Sequence, residues 1–280
     1  MEKYLRPIVI TFLFELVGTI MFYSVLVFLH LYDSENFVFP NDPNEIGNMI
    51  RPYLGIITIL SGILTVFFAW AIKMSDFKKS FDYKSINWHK VWIPIVGAFY
   101  YLLVFNFLSD AVRLPDFMTQ TFNDVAKTAT GVLAICIIGP ICEELIFREA
   151  IIRCMLTNGA TPKAAIITSS LLFAIAHGNP AQMFFAFFVG ILFAMLFIKS
   201  GNIILSTIMH ILNNSFSVIM MNFYHLEGEN QHFPVGVDVV VILLCVYPAY
   251  RILRYYFYEQ EQPAMADKKS ASSCKRTKKQ

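Results

Sequence analysis

The chain has 280 residues, of which 56% are hydrophobic and 15% are charged, and its formal net charge is +2. This composition lies far outside that of a soluble globular domain, and so small a net charge gives no reason to expect nucleic-acid binding. Apolar runs long enough to cross a bilayer recur along the whole chain and leave no room for a separate soluble domain. We therefore predict an all-α fold, a polytopic membrane helical bundle.

Hydropathy predicts about eight transmembrane helices. The first apolar run continues past Leu31 without a small-residue cleavage pattern, so it is expected to be an uncleaved span. The segment 163–178 is shorter than the others and is expected to be a partial span shielded by its neighbours. The predicted spans are residues 7–31, 52–73, 91–109, 129–147, 163–178, 182–199, 203–222 and 236–257.

The chain divides into four predicted parts. Residues 1–128 hold the N-terminal transmembrane helices and an amphipathic segment, 114–128, which is expected to form a surface helix. Residues 129–222 contain most of the unusual polar side chains. Residues 223–258 form the last transmembrane helix, and residues 259–280 are predicted to be a disordered, basic cytoplasmic tail.

Alternate connections between the predicted spans carry the basic residues. Because basic loops stay on the cytoplasmic side, both chain termini are predicted to be cytoplasmic. The lack of a sorting extension favours a bacterial plasma membrane, and the five cysteines, which lie mostly in apolar or basic segments, are expected to be free thiols. The basic positions are Lys3, Arg6, 73–90, 148–163, Lys199 and Arg251 onward, whereas 32–50 and 223–235 are acidic or neutral.

Two adjacent carboxylates follow Gly139-Pro140 in the fourth predicted span. Successive helical residues point about 100° apart, so Glu143 and Glu144 cannot both face one small site. Glu144 and Arg148 are four residues apart, which predicts an ion pair that holds the helix end. Glu143 is then free to act in an apolar setting, where a carboxylate suits the work of a general base.

A predicted helical hairpin connects Glu143 to His177. The turn at 158–162 contains Asn, Gly and Pro, and Glu143 lies 17 residues before Ala160 while His177 lies 17 residues after it. Equal distances from the turn predict that the carboxylate and the imidazole reach the same depth. Such a pair can activate one water molecule, although a single histidine at the end of a span is equally well explained as a structural residue.

His210 and Asn214 are four residues apart and share one face of the seventh predicted span. Two hydrogen-bond donors aimed at one point can stabilise the oxyanion that develops when water attacks an amide carbonyl. The alternative is a polar clasp between helices, for which Asn213 and Ser215 are also suitable.

These three motifs, in this order on successive apolar segments, resemble those of the CPBP (Abi) family of intramembrane proteases, which includes the type II CAAX prenyl endopeptidases. EExxxR is matched by Glu143, Glu144 and Arg148, FxxxH by Phe173 and His177, and HxxxN by His210 and Asn214. The resemblance covers residues 129–222 and implies that they form the catalytic core of a peptide-bond hydrolase. It also implies the roles given above, Glu143 with His177 activating water and His210 with Asn214 holding the oxyanion, in a site that opens to the cytoplasm.

Members of this family are described both as metalloproteases and as metal-independent glutamate enzymes. A zinc ion would be held by His177, His210 and either Glu143 or Glu144, with one position left for water. Glu143 would then have to serve as both ligand and base. We therefore predict that no cofactor is required, with zinc as the alternative.

The expected substrate is a peptide or a lipidated or membrane-associated protein, of CAAX type or of bacteriocin or signal-peptide type. A regulatory membrane partner is a further expectation from the family. Two other functions stay open, namely a non-catalytic membrane regulator or immunity protein, and a proton-coupled transporter that uses Glu143, His177 and His210 as a relay. The paired repeats typical of transporters are not seen in the sequence.

Overall fold

The structure is a computed structural model that describes residues 2–32, 43–74, 77, 80–224 and 234–259. The described residues form helices and their connections, and no strand occurs among them. The helices are α1 (Glu2–Tyr32), α2 (Pro43–Ile50), α3 (Leu54–Ala71), α4 (Trp92–Val112), α5 (Thr119–Ala126), α6 (Ala129–Thr157), α7 (Pro162–Ile175), α8 (Pro180–Ser200), α9 (Ile204–Tyr224) and α10 (Val235–Arg254).

The prediction of an all-α membrane bundle is confirmed. Within the described part of the chain, six helices are long and apolar enough to cross a bilayer, namely α1, α3 with the turns before it, α4, α6, α8 and α10. The shorter apolar helices α7 and α9 account for the remaining two predicted spans. Large apolar side chains such as Phe12 on α1 and Leu243 and Leu244 on α10 are exposed, as expected for surfaces that face lipid.

The fourth span is longer than predicted, because α6 continues to Thr157 instead of ending near residue 147. The charged residues after Phe147 resembled the end of an apolar run. In the structure they are paired within the helix, Glu144 with Arg148 and Glu149 with Arg153, so the helix continues through them. The helix also changes to π-helical turns at Ala134–Ile138 and Glu144–Ile152, on either side of Glu143.

α6 is the central helix of the bundle and contacts α1, α3, α7, α8 and α9. α3 approaches it closely at two glycines: a Cβ on Gly55 would lie 2.7 Å from the Gly131 nitrogen, and a Cβ on Gly62 would lie 2.9 Å from Cys142 Cβ. Small residues at such positions let helix backbones come together. Gly190 on α8 has the same role against Ser170 on α7, with its would-be Cβ 3.2 Å from Ser170 Cα.

One side of the bundle, which we call the terminal side, holds the start of α1 and the ends of α6, α8 and α10. The end of α6 meets the connection between α8 and α9 there, since Arg153 Nη2 donates to the Gly201 carbonyl at 3.2 Å. Lys199 Nζ, at the end of α8, donates to the Phe257 carbonyl just after α10 at 3.4 Å.

The opposite side, which we call the α5 side, holds α5, the start of α3 and the connection between α7 and α8. The Ala181 amide, at the start of α8, donates to the Pro115 carbonyl at 3.3 Å. Arg51, just before α3, pairs with Asp124 of α5 at 3.0 Å. These contacts place the predicted surface helix 114–128 over one end of the bundle.

The cysteines Cys136, Cys142, Cys154 and Cys245 are free and buried, which confirms the prediction for them. The fifth, Cys274, and the predicted tail from residue 260 onward lie outside the described residues.

Candidate functional site

Glu143 lies midway along α6, between the two π-helical segments. π-helical turns within α-helices often occur at functional sites, because they change the direction in which neighbouring side chains point. The Glu143 side chain is 22% exposed, whereas Glu144 beside it is fully buried. The two carboxylates therefore face different surroundings, as their spacing predicted.

His210 of α9 lies between the two carboxylates. Its Nδ1 is 3.2 Å from Glu144 Oε1, and its Nε2 is 3.6 Å from Glu143 Oε2. The first distance is a hydrogen bond in which the imidazole N–H donates, and the second is longer than a hydrogen bond. Glu144 thus fixes the orientation of the ring and leaves Nε2 directed at the carboxylate of Glu143.

The pair of Glu144 and Arg148 is present, but it does not hold a helix end as predicted. Arg148 Nη2 is 3.2 Å from Glu144 Oε1, and both side chains are fully buried in the middle of the bundle. The guanidinium also lies over the rings of Phe173 and Phe193, 4.6 and 5.7 Å from their centroids. Cation–π contacts of this kind strengthen when they are desolvated.

His177 follows the end of α7, where Gly178 takes a positive φ of 62° and the chain leaves the helix. Its Nδ1 is 2.7 Å from the Phe173 carbonyl, so this nitrogen is the donor and Nε2 is left for other partners. The Phe173 ring packs edge-on against both imidazoles, at 4.7 Å from His177 and 5.7 Å from His210. Glu143 is close enough to His177 to interact with it electrostatically.

Asn214 reaches the first π-helical segment of α6. Its Nδ2 donates to the Ile135 carbonyl at 3.0 Å, and its Oδ1 accepts from Asn213 Nδ2 at 3.2 Å. An amide nitrogen carries two donors, so one N–H of Asn214 is left after the bond to Ile135. The interhelical polar clasp predicted as the alternative is therefore also formed, and it uses Asn213 and Asn214 together.

Glu143, His177 and Asn214 line one cavity of about 290 Å³. His210 lies just behind its wall, with its side chain 4% exposed and in contact with Glu143. The chain thus brings residues from α6, from the connection between α7 and α8 and from α9 to one place, although 71 positions separate Glu143 from Asn214. The other lining residues are mostly apolar: Phe14, Leu54, Thr58, Met118, Thr121, Phe122, Val125, Ala134, Ile135, Gly139, Phe147, Ala176 and Gln182.

One wall of this cavity comes from α5 and the residue before it, a contribution that the sequence did not reveal. Met118, Thr121, Phe122 and Val125 face the cavity. The alternation of polar and apolar positions in 114–128 indicated an amphipathic helix, but it did not indicate what the apolar face would cover.

The segment carrying α5 is anchored at its start by Asn179, which is fully buried in the connection between α7 and α8. Asn179 Oδ1 accepts from the Phe117 amide at 3.1 Å, and its Nδ2 donates to Asp116 Oδ1 at 3.0 Å. The Met118 and Thr119 amides also donate to Asp116 Oδ1. A buried amide thus holds the start of the cavity wall.

Asp124 anchors the end of α5 through Arg51 and Lys127, at 3.0 and 3.1 Å. Burial acts to raise the pKa of this carboxyl, but hydrogen bonds from Gln120 and Lys127 and the charges of Lys127 and Arg51 outweigh it. The pKa of Asp124 therefore lies below its usual value, and the carboxylate form is the one that the folded chain favours.

The arrangement does not fit a zinc site. Across the part of the chain that the structure describes, no three His, Cys, Asp or Glu side chains come close enough together to hold a metal ion. Of the two glutamates that could join His177 and His210 around zinc, Glu144 already accepts from His210 and pairs with Arg148.

Fold and site together define a polytopic helical membrane protein with a polar cluster of carboxylates, imidazoles and an amide inside its bundle. Residues 126–216 match the family model described as "Type II CAAX prenyl endopeptidase Rce1-like". This match covers Glu143, Glu144, Arg148, Phe173, His177, His210 and Asn214 but not the cavity residues of α1, α3 and the α5 wall, and it confirms the family resemblance indicated by the three motifs.

A Bacillus subtilis protein described as "Putative membrane peptidase YdiL" is 31% identical to this chain over 103 residues. The aligned stretch is 36% of this chain and 42% of YdiL, so this chain covers less than half of that relative. No solved structure matches the chain. The family match therefore concerns the site-bearing region and not residues 1–125.

Proposed function

We propose that the protein is an intramembrane endopeptidase in which Glu143 and His177 activate a water molecule. The observation that carries this proposal is the meeting of Glu143, His177 and Asn214 in one cavity, with His210 in contact with Glu143. The family match and the similarity to YdiL support a peptidase, and they do not specify its mechanism or its substrate.

In the proposed reaction, Glu143 accepts a proton from water while the water oxygen bonds to the carbonyl carbon of the substrate. The carbonyl π electrons move to oxygen, which becomes the oxyanion of a tetrahedral intermediate. When the intermediate collapses, the C–N bond breaks and the proton on Glu143 passes to the leaving nitrogen. The products are a carboxylic acid and an amine, and Glu143 is again ionised. A well-placed general base contributes roughly 10²- to 10⁴-fold to such a rate.

His177 orients the water in this proposal. Its Nδ1–H donates to the Phe173 carbonyl, so Nε2 is an acceptor that can take a hydrogen bond from the water that Glu143 deprotonates. The edge of the Phe173 ring holds the imidazole in place.

His210 and Asn214 stabilise the oxyanion in this proposal. With both ring nitrogens protonated, His210 donates Nδ1–H to Glu144 while its Nε2–H points into the 3.6 Å gap toward Glu143, where no hydrogen bond of ordinary length is formed. The N–H of Asn214 that does not bond Ile135 is the second donor. Loss of one such donor typically costs roughly 2.7–4 kcal/mol of barrier.

The proposed substrate is a peptide or a segment of a membrane protein, and no metal is required. Apolar side chains line most of the cavity, which suits an extended apolar segment. Cleavage of prenylated CAAX proteins and processing of bacteriocins or signal peptides are the candidates that the family resemblance suggests.

The test is cleavage of a synthetic decapeptide library with apolar central residues by the purified protein in detergent, read by mass spectrometry. We expect wild type to cleave with and without a chelator, and Glu143→Gln to lose cleavage. Glu45→Gln is the matched control, because Glu45 is an exposed carboxylate on α2, away from the cavity. Cleavage by Glu143→Gln at the wild-type rate would refute the proposal, and loss on chelation with rescue by zinc would refute the metal-free mechanism. Proton flux in vesicles without cleavage would favour the transporter alternative.

A further inference from the structure

The cavity lies in the half of the bundle next to the α5 side. Glu143 is midway along α6, and the other α6 residues that line the cavity lie mainly between it and the start of that helix, at Ala134, Ile135 and Gly139. Leu54 and Thr58 come from the first turns of α3. Each of these helix ends belongs to the α5 side.

The remaining walls have the same location. Gln182 lies in the first turn of α8, and His177 lies in the connection just before it. The α5 wall covers the same end of the bundle and is bound to this connection through Asn179. From Glu143 in the middle of the bundle, the lined space therefore extends toward the α5 side.

Basic residues are concentrated on the other side of the bundle. The sequence between α1 and α2 and the sequence between α9 and α10, which join helix ends that lie at the α5 side, contain no Lys or Arg. Two of the basic residues that do lie there, Arg51 and Lys127, pair with Asp124. Among the described residues, the terminal side has Lys73, Lys84, Lys90, Lys163, Lys199, Arg251 and Arg254, Lys3 and Arg6 at the start of α1, and Arg153, which pairs with Glu149.

The distribution of Lys and Arg in short connections sets the orientation of a membrane protein, with the basic side in the cytoplasm. The terminal side is then cytoplasmic and the α5 side is not. Two expectations from the sequence therefore conflict, because cytoplasmic termini and a site that opens to the cytoplasm require opposite sides of this bundle.

We propose that the cavity opens to the extracytoplasmic face and receives peptide segments from that side. The substrate class is then an exported peptide, or the extracytoplasmic flank of a membrane-protein helix, bound as an extended chain. Met118, Phe122 and Val125 give apolar contacts for its side chains, while Thr58, Thr121 and Gln182 supply polar groups for its backbone. The orientation stands on its own, whereas the substrate class rests on the proposed function.

Single cysteines and a membrane-impermeant maleimide test the orientation in a bacterial expression host. Each reporter cysteine is introduced into the Cys274→Ser variant, whose four remaining native cysteines are buried. Phe117→Cys reports the α5 side, since this side chain is 75% exposed. Lys163→Cys, also at an exposed position, reports the terminal side.

We expect Phe117→Cys to react in intact cells and Lys163→Cys to react only after the membrane is permeabilised. Protection of Phe117→Cys in intact cells, or reaction of Lys163→Cys there, overturns the proposal. Green fluorescent protein fused to the C-terminus of the unsubstituted chain gives a second reading that no cysteine variant can disturb. This reporter fluoresces only in the cytoplasm, so we expect the fusion to be fluorescent. A fusion protein that is produced and inserted into the membrane but does not fluoresce overturns the proposal.

Vesicles of known orientation test the substrate class with the decapeptide library, which does not cross membranes. We expect cleavage by right-side-out vesicles, and by inverted vesicles only after detergent is added. Cleavage by sealed inverted vesicles overturns the proposal. If the cysteines label in the expected pattern but no peptide is cleaved in either vesicle orientation, even in detergent, the proposed membrane orientation stands and the proposed peptidase activity fails. The failure of one proposal can therefore be distinguished from the failure of the other.

Discussion

The buried pair of Glu144 and Arg148 gives the sharpest prediction for stability. Both side chains are fully buried and their nearest charged atoms are 3.2 Å apart. Removing one partner of a buried ion pair leaves an uncompensated charge and costs about 3–5 kcal/mol, whereas replacing both partners by neutral groups is often nearly neutral. We therefore expect Arg148→Met to destabilise the fold by an amount in this range.

Glu144→Gln is the complementary single variant, since glutamine keeps an oxygen to accept from His210 Nδ1 while removing the charge. The double variant with Arg148→Met is expected to recover most of the loss. The control is Lys127→Met, which removes an ion pair with a 60% exposed lysine, where the expected change is within about 1 kcal/mol.

The assay is the free energy of unfolding in mixed micelles, measured by denaturing-detergent titration of all four variants and wild type. A double-variant cycle then isolates the energy of the interaction. Additive losses in the double variant, or an Arg148→Met variant as stable as Lys127→Met, would contradict the importance of this pair.

Three further predictions follow from the packing and the α5 wall. Gly55→Ala should lower the free energy of unfolding by about 1–3 kcal/mol, because its Cβ would lie against backbone atoms of α6, which cannot move as a flexible side chain could. Gly18→Ala is the control: its Cβ would have no neighbour within 4 Å, so this variant should be neutral or slightly stabilising. Asn179→Ala should speed hydrogen exchange at the Phe117 amide about 5- to 150-fold, which corresponds to the cost of about 1–3 kcal/mol for a buried group that loses its partner. Unchanged exchange would show that the Asn179 side chain does not hold the α5 wall. Because the pKa of Asp124 is lowered in the folded chain, its contribution to stability is present above the unfolded value and is lost as the pH falls through the folded one. Asp124→Asn should therefore weaken the dependence of thermal stability on acidic pH, and identical acid profiles for variant and wild type would contradict this.

Much of the fold could be read from the sequence, because lipid exposure forces long apolar runs into helices. The error at α6 has a definite cause: Arg148, Glu149 and Arg153 look like the end of a span, and only the three-dimensional structure shows that Arg148 and Glu149 are buried and that all three charges are paired within the helix. A one-dimensional hydropathy pattern cannot distinguish paired buried charges from exposed ones.

The candidate site was also predictable only in part. Spacing along helices placed His210 and Asn214 on one face, and the equal distances from the turn at 158–162 placed Glu143 and His177 at one depth. The bond between Glu144 and His210 could not be predicted, since it depends on how α9 packs against α6. The same holds for the α5 wall, which is fixed by contacts with Asn179 and Arg51 from distant parts of the chain.

The most direct test of the proposed mechanism is whether water itself attacks the peptide bond. The purified protein is given a cleaved decapeptide in a single turnover in ¹⁸O-labelled water that also contains hydroxylamine, and the new C-terminus is weighed. We expect a carboxylic acid that carries one ¹⁸O atom, and no such product from Glu143→Gln. A hydroxamate at the new C-terminus would show that an acyl group was first bonded to the protein, and it would contradict attack by a water molecule that Glu143 activates.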